Sequence, residues 1–106
     1  MEFRPNAFKV TLLFPMHDNA GEPFAESVWD WWRAEFTRII PGYTELGPVA
    51  GWWQGQTDRH RMVYVIVGAD EDEKIEELRG FVSLARSRFE QEAMYFEIQA
   101  VQYEQL

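Results

Sequence analysis

Both histidines of the chain lie close to carboxylates, a combination suited to acid–base chemistry. His17 precedes Asp18, and His60 follows Asp58 along the next stretch of polar residues. Imidazole changes its charge near neutral pH, and a neighbouring carboxylate orients it or binds a cation with it. Together with Glu92, these residues predict a site in which His17 or His60 transfers a proton.

Three interpretations of this set stay open. The residues form a general acid–base site, they bind a divalent metal through imidazole and carboxylate ligands, or they are solvated loop residues that pair with their neighbours. Their spacing matches no short metal-binding motif. We therefore predict neither a metal nor a cofactor.

Tryptophan is unusually frequent, with five copies in 106 residues. Trp31 lies about 100° from the centre of a helical apolar stripe, which predicts that it is largely exposed in a monomer. Trp52 and Trp53 are adjacent, so in a strand one points inward and one outward. Exposed tryptophans either stack on a flat apolar or cationic ligand or fill a subunit interface. The predicted binding residues are Asp18, Trp31, Trp52, Trp53, Asp58, Tyr64 and Glu92.

The first half of the chain predicts a strand, a helix and a broken strand. Apolar residues alternate from Phe8 to Phe14, and Pro15 stops that strand. Apolar residues recur at helical spacing over 23–39, with Pro23 at the first position of the helix. Residues 43–54 read as an edge strand with a bulge, because glycine and proline interrupt them.

The second half predicts a hairpin, a second helix and a last strand. Residues 59–67 are rich in valine, and a short turn joins them to the preceding strand. Asp70 and Glu73 resemble a capping box at the start of the second helix. Residues 93–103 alternate again and predict the fourth strand.

The order β-α-β-β-α-β predicts an α+β ferredoxin-like sandwich over a single domain, residues 1–106, with 1–7 as a loose lead-in. Its antiparallel sheet has strand order 4-1-3-2, and both helices cover one face. In this topology the loop after the first strand, the hairpin and the turn before the last strand meet at one end. That end would gather His17, His60 and the carboxylates near them.

The sheet face away from the helices is predicted to be apolar. If the valines of the third strand face the helices, Tyr64 and its neighbours face outward, and such a surface is too hydrophobic to stay bare. The outward residues are Lys9, Thr11, Leu13, Met62, Tyr64, Ile66, Tyr95, Glu97, Gln99 and Val101. We predict a homodimer through this face; a monomer with half-exposed tyrosines and pairing of edge strands are the alternatives.

Composition limits the partners. Ten basic against 18 acidic residues give a net charge of −8, which disfavours binding to nucleic acid or to anionic membranes. The chain has no cysteine, and neither an apolar leader nor a run of roughly 20 apolar residues is visible. The expected location is the cytoplasm.

The middle of the chain resembles small uncharacterised αβ proteins of a domain-of-unknown-function type. The resemblance covers roughly residues 8–100 and rests on short features, namely Pro41-Gly42, Thr44, Gly47, Gly51-Trp52, Asp58-Arg59 and Val63 to Val67. It implies the fold and assigns no catalytic residue.

Three functions fit these features. The first is a small dimeric module that binds a small apolar or cationic ligand in an aromatic-lined cleft. The second is a cofactor-free enzyme of the dimeric α+β barrel type, with His17 or His60 as acid and base. The third is an acidic protein-interaction module.

Overall fold

The computed structural model describes residues 2–53 and 55–106, without the side chain of Trp53. Four strands form one antiparallel sheet in the order β2-β3-β1-β4, so β2 and β4 are its edges. This confirms the predicted α+β ferredoxin-like sandwich. The elements are β1 (Ala7–Pro15), α1 (Glu26–Ile39), β2 (Thr44–Trp53), β3 (Gln56–Gly68), α2 (Glu73–Arg88) and β4 (Tyr95–Val101).

The two central strands alternate as their sequences predict. On β1, Leu12 and Phe14 are fully buried, and on β3 Val63 opposite Leu12 is buried too. The intervening residues, such as Tyr64, lie on the outer face. Thr11 is an exception among outer residues, because it is only 2% exposed; it lies on the central strand between Tyr64 and Glu97.

The core is an aromatic cluster centred on Phe14. Its ring lies 5.3 Å from Trp32 and 6.5 Å from Phe36 on α1, and 5.8 Å from Phe81 on α2. A single side chain of β1 thus touches both helices, which requires that both cover the same face of the sheet. Edge-on and tilted ring pairs of this kind add about 0.5–1.5 kcal/mol each beyond area burial.

Both helices begin later than predicted. α1 starts at Glu26, because the residues before it are held in a turn and Ala25 is still extended, with φ −60° and ψ 148°. α2 starts at Glu73 and its first residue is preceded by Asp72, which makes no side-chain capping bond. The predicted capping box from Asp70 to Glu73 is therefore wrong; residues 68–71 form a turn that closes through the Glu71 N–H on the Gly68 carbonyl at 2.9 Å.

The hairpin between β2 and β3 is tighter than predicted, since β3 begins at Gln56 and pairs with β2 up to the turn. The predicted bulge lies between Glu45 and Pro48, where Gly47 has a φ of +82° that favours glycine. Within the described residues, no helix is long and apolar enough to span a membrane.

Arg61 is an inward-facing cation that the sequence did not single out. Its Nε lies 2.9 Å from the Glu45 carboxylate on β2. Its guanidinium carbon lies 4.2 Å from the Trp29 ring centre and 5.1 Å from that of Trp32. One side chain therefore connects both strands of the hairpin to α1.

Candidate functional site

A loop built around Asp18 forms one side of the predicted site. One carboxylate oxygen of Asp18 accepts hydrogen bonds from the backbone N–H groups of Ala20 and Glu22, both at 2.9 Å. This is an Asx-type turn, in which a side chain replaces a backbone acceptor. Asn19, held at the tip of the turn, donates its amide to the Glu90 carbonyl at 3.2 Å. The loop after β1 is thereby tied to the loop before β4.

The second loop depends on the way α2 ends. Glu90 has a φ of +52°, a left-handed conformation that follows many helices. The chain then turns back, and the N–H of Gln91 donates to the Arg86 carbonyl at 2.9 Å. This reversal directs residues 90–92 toward the hairpin.

Between these loops and the hairpin lies an open cleft of about 730 Å³, which we call the main cleft. It collects residues from the hairpin, both loops and the start of β4. Its principal lining residues are Trp52, Asp58, His60, Glu90, Glu92 and Tyr95.

The main cleft is acidic and aromatic. Asp58, Glu90 and Glu92 line it, and no lysine or arginine belongs to the part of its wall that the structure describes. Trp52 is 73% exposed and Tyr95 is 47% exposed. Carboxylates and ring faces both attract cations, so the wall is suited to a flat molecule that carries positive charge.

A smaller hollow of about 470 Å³, the side cleft, adjoins the main cleft and holds His17 and Asp18. The two clefts share Asn19, Asp58 and Gln91. His17 pairs as an isolated bridge with Pro23. The predicted end of the sheet thus carries both imidazoles, but on two neighbouring concave surfaces.

Six of the predicted site residues lie at this end. Trp52, Asp58, His60 and Glu92 line the main cleft, and His17 and Asp18 line the side cleft. One of Trp52 and Trp53 was predicted to point outward. Trp52 is exposed, and the Trp53 side chain lies outside the described residues.

Trp31 and Tyr64 lie elsewhere. Trp31 is half-buried, in contrast to the exposure predicted for it, because its ring stacks 5.9 Å from Phe81 and Arg88 lies 4.8 Å from its centre. The helical angle alone did not account for the second helix beside it. Tyr64 lies on the outer face, where the Lys9 ammonium is 4.6 Å from its ring.

Among the charged and aromatic residues of the main cleft, the prediction missed Glu90 and Tyr95. Alternation in β4 placed Tyr95 on the outer face but gave no sign that this position borders the main cleft. The hydrogen bond from its hydroxyl to Glu97, followed by partial desolvation and the charge of that carboxylate, raises the pKa of Tyr95 above its usual 10.0. Nothing in the local sequence signals the left-handed conformation of Glu90.

The carboxylates and imidazoles do not converge on a point. Across residues 2–53 and 55–106, no three histidine, aspartate or glutamate side chains are close enough together to hold a metal ion. The arrangement offers a broad surface for a ligand of several atoms, with the His60 imidazole on its wall.

Comparison with known proteins gives a fold and a point of reference. No protein-family model matches the chain, and no curated protein matches it. The solved structure of a phage SAM lyase in complex with S-methyl-5'-thioadenosine is similar, with a TM-score of 0.66 and 18% identity, over 94% of this chain and 85% of that chain. The apo structure of a phage SAM lyase is similar with a TM-score of 0.62 and 19% identity, again over 94% of this chain and 85% of that chain. At this identity the likeness concerns the fold.

Proposed function

We propose that this protein binds a small, flat, positively charged molecule in the main cleft. The observation that carries the proposal is the composition of the wall, with three carboxylates, an exposed tryptophan and neither lysine nor arginine among its described residues. A cation loses part of its hydration on binding, and opposing carboxylates and ring faces replace it.

The structural neighbour supports the choice of a nucleoside-like ligand. That phage SAM lyase has been solved with S-methyl-5'-thioadenosine, a purine nucleoside thioether. SAM contains the same nucleoside and adds a sulfonium charge together with a zwitterionic aminocarboxypropyl arm. Stacking of the ring contributes to the binding of both ligands, whereas the sulfonium and its charged arm contribute only to the binding of SAM.

Titration calorimetry with SAM and with S-methyl-5'-thioadenosine tests the proposal. We expect SAM to bind more tightly, because only SAM presents a cation to Asp58, Glu90 and Glu92. Trp52→Ala should weaken the binding of both ligands by about fivefold or more, since loss of base–aromatic stacking costs about 1–3 kcal/mol. Asp58→Asn should weaken SAM selectively.

Two matched variants serve as controls. Phe3→Ala removes another exposed ring, 63% accessible, outside the cleft, and Glu104→Gln removes an exposed carboxylate from the tail. Neither should alter the affinity. Equal affinity for the charged and the uncharged ligand, or an affinity that Trp52→Ala leaves unchanged, would contradict the proposed site.

His60 favours a second candidate, a cofactor-free enzyme that acts on the bound ligand. The imidazole lines the main cleft beside Asp58, where it supports proton transfer to or from a ligand. His17, in the side cleft, is the alternative acid–base residue. Mass spectrometry of the recovered SAM detects turnover. His60→Gln should abolish turnover and retain binding, whereas intact ligand after prolonged incubation would leave a binding protein.

We further propose that the protein is a homodimer joined through the outer sheet face. Ile66 is 36% exposed there, and the face carries both Lys9 and Glu97. In a two-fold interface each charge can meet its opposite on the partner.

Sedimentation at increasing concentration should reveal the dimer, and Ile66→Glu should dissociate it. Leu84→Glu, at a 58% exposed apolar position on α2, is the control. A wild-type monomer at all concentrations would refute it and favour an acidic interaction module.

A further inference from the structure

A second concave surface lies between α2 and β4. This α2–β4 cleft has a volume of about 380 Å³. Its principal lining residues are Arg79, Val82, Ser83 and Arg86 from α2, and Met94 and Phe96 from the strand side. Val82 is buried, and Met94 and Phe96 are half-buried against the core. The cleft therefore has an apolar floor.

The rim of the α2–β4 cleft reverses the charge of the main cleft. Two arginines and one carboxylate, Glu92, line it, in a chain whose net charge is −8. Glu76 pairs with Arg79 at 3.3 Å, so Arg86 is the cation of this rim that attracts an anion most directly.

Helix geometry places the polar groups of the rim together. Arg79, Ser83 and Arg86 lie four and three residues apart, which puts them on one face of α2. The Arg79 guanidinium carbon lies 5.0 Å from the centre of the Phe96 ring, and its Nε lies 3.3 Å from Glu76. These contacts hold Arg79 in place, so a ligand need not order it on binding.

Arg86 has the opposite character. It is exposed, and among the ion pairs between described residues none includes it. Its position in the last turn suits the helix dipole. An arginine on any exposed side of the last turn could interact with the helix dipole. Arg86 lies on the side that borders the apolar floor of the cleft, as Met94 does.

We propose that the α2–β4 cleft binds a small amphipathic anion, a carboxylate with a short apolar or aromatic body. The apolar part lies on Val82, Met94 and Phe96, and the carboxylate is bound by Arg86 and Arg79 with Ser83 as a further donor. A volume of about 380 Å³ is at the small end of ligand sites. None of the observations that point to this site depends on the function proposed for the main cleft.

The probe is 3-phenylpropionate, with the uncharged 3-phenylpropanamide as its matched control. Methyl NMR reports the position of binding, because the chain has four methionines and Met94 lines this cleft. Met62 lies on β3, in register with Leu13, and serves as the internal reference. We expect the Met94 methyl signal to shift saturably with the carboxylate. The affinity for the amide, measured on the same signal, should be at least about tenfold lower, and the Met62 signal should not shift.

Variants complete the test. Arg86→Gln should weaken the carboxylate by about tenfold or more, because a charge-assisted hydrogen bond is lost. Arg79→Gln combined with Arg86→Gln should abolish saturation, while Arg33→Gln on α1 should have no effect. The thermal unfolding midpoint of each variant checks that it is folded. A shift of Met94 that does not saturate, that the amide reproduces, or that survives Arg86→Gln would overturn the proposal. Trp52→Ala should not alter this affinity, which separates this test from that of the main cleft.

Discussion

At the scale of single residues, Arg61 combines an ion pair with two cation–π contacts. Its side chain is only 25% exposed and joins Glu45 to the faces of Trp29 and Trp32. A desolvated cation–π contact contributes about 2 kcal/mol, and an exposed one about 0.5–1. This cation links both strands of the hairpin that carries part of the main cleft to α1.

We expect Arg61→Gln to lower the free energy of unfolding by about 1–3 kcal/mol, because it removes the ion pair and both ring contacts. Arg61→Lys should recover only part of this loss, since an ammonium cannot stack as a planar guanidinium does. Urea denaturation gives the values. The neighbouring Arg59→Gln, at an exposed side chain, is the control and should stay within about 0.5 kcal/mol. Equal effects at both positions would refute this role.

Tyr95 gives a prediction about pH. Its pKa is raised, first by the hydrogen bond to Glu97, so the folded state holds the phenolic proton more tightly than the unfolded chain does. The contribution to stability is therefore present below the usual tyrosine pKa of 10.0 and is lost as the pH rises through the folded value. Glu97→Gln should bring the pKa of Tyr95 closer to 10.0, as measured by NMR titration of the tyrosine rings. Glu104→Gln should leave it in place, and a value indifferent to Glu97 would disprove the cause.

At the scale of elements, the end of α2 shapes the main cleft through an unfavourable backbone conformation. Glu90 occupies the left-handed region with φ +52°, which costs a non-glycine residue about 1–2 kcal/mol. Its backbone carbonyl nevertheless accepts the bond from Asn19 at 3.2 Å. The position matters for its conformation as well as for its charge.

Glu90→Gly should therefore stabilise the protein by about 0.5–1.5 kcal/mol, because glycine adopts this conformation without strain. Glu90→Gln retains the strain and removes only the charge, so it should change stability little. Thermal unfolding of the two variants separates backbone from electrostatics. Stabilisation by glutamine equal to that by glycine would show that charge repulsion, and not φ, is the cause.

Phe14 connects the strand layer to both helices. Phe14→Ala should cost about 3–5 kcal/mol, because a ring that is fully buried leaves a cavity that four neighbouring aromatic rings cannot close. Phe3→Ala removes a ring that is 63% exposed and should be nearly neutral. Denaturant titration compares the two. A similar loss at both positions would contradict the central place of Phe14.

The same scale shows how far a sequence can predict this fold. Alternation identified β1 and β4, and helical stripes identified both helices, because burial on one face leaves a period in the sequence. The valine-rich run identified β3, and the glycine and proline breaks marked β2 as an edge strand. Helix starts were misplaced where Asp18 and residues 68–71 form turns, since turn and cap chemistry use the same residue types. The half-burial of Trp31 depends on how α1 packs against α2. The local sequence around Trp31 carries no information about that packing.

For the candidate site, topology predicted which loops meet but not how their side chains point. Both histidines came to the expected end of the sheet because antiparallel strands return there. The division into two clefts depends on the Asn19 contact with residue 90 and on the helix reversal. Both are tertiary details that local sequence does not encode.

At the scale of the whole molecule, charge is unevenly distributed. The main cleft is lined by three carboxylates and the α2–β4 cleft by two arginines, on a chain of net charge −8. We expect the affinity for SAM to fall as salt is raised from about 0.01 M to 1 M, since the screening length shortens from about 30 Å to 3 Å. The affinity for the neutral S-methyl-5'-thioadenosine should change little. Calorimetry across salt concentrations measures both, and parallel slopes would exclude an electrostatic contribution.

Residues 92–94 line the main cleft and the α2–β4 cleft alike. This short segment separates the two clefts, and it lies between the end of α2 and the edge strand β4. A displacement of these residues into one cleft would narrow that cleft and widen the other. Ligands for the two clefts should therefore be tested together, because the ligand bound in one cleft would alter the shape of the other.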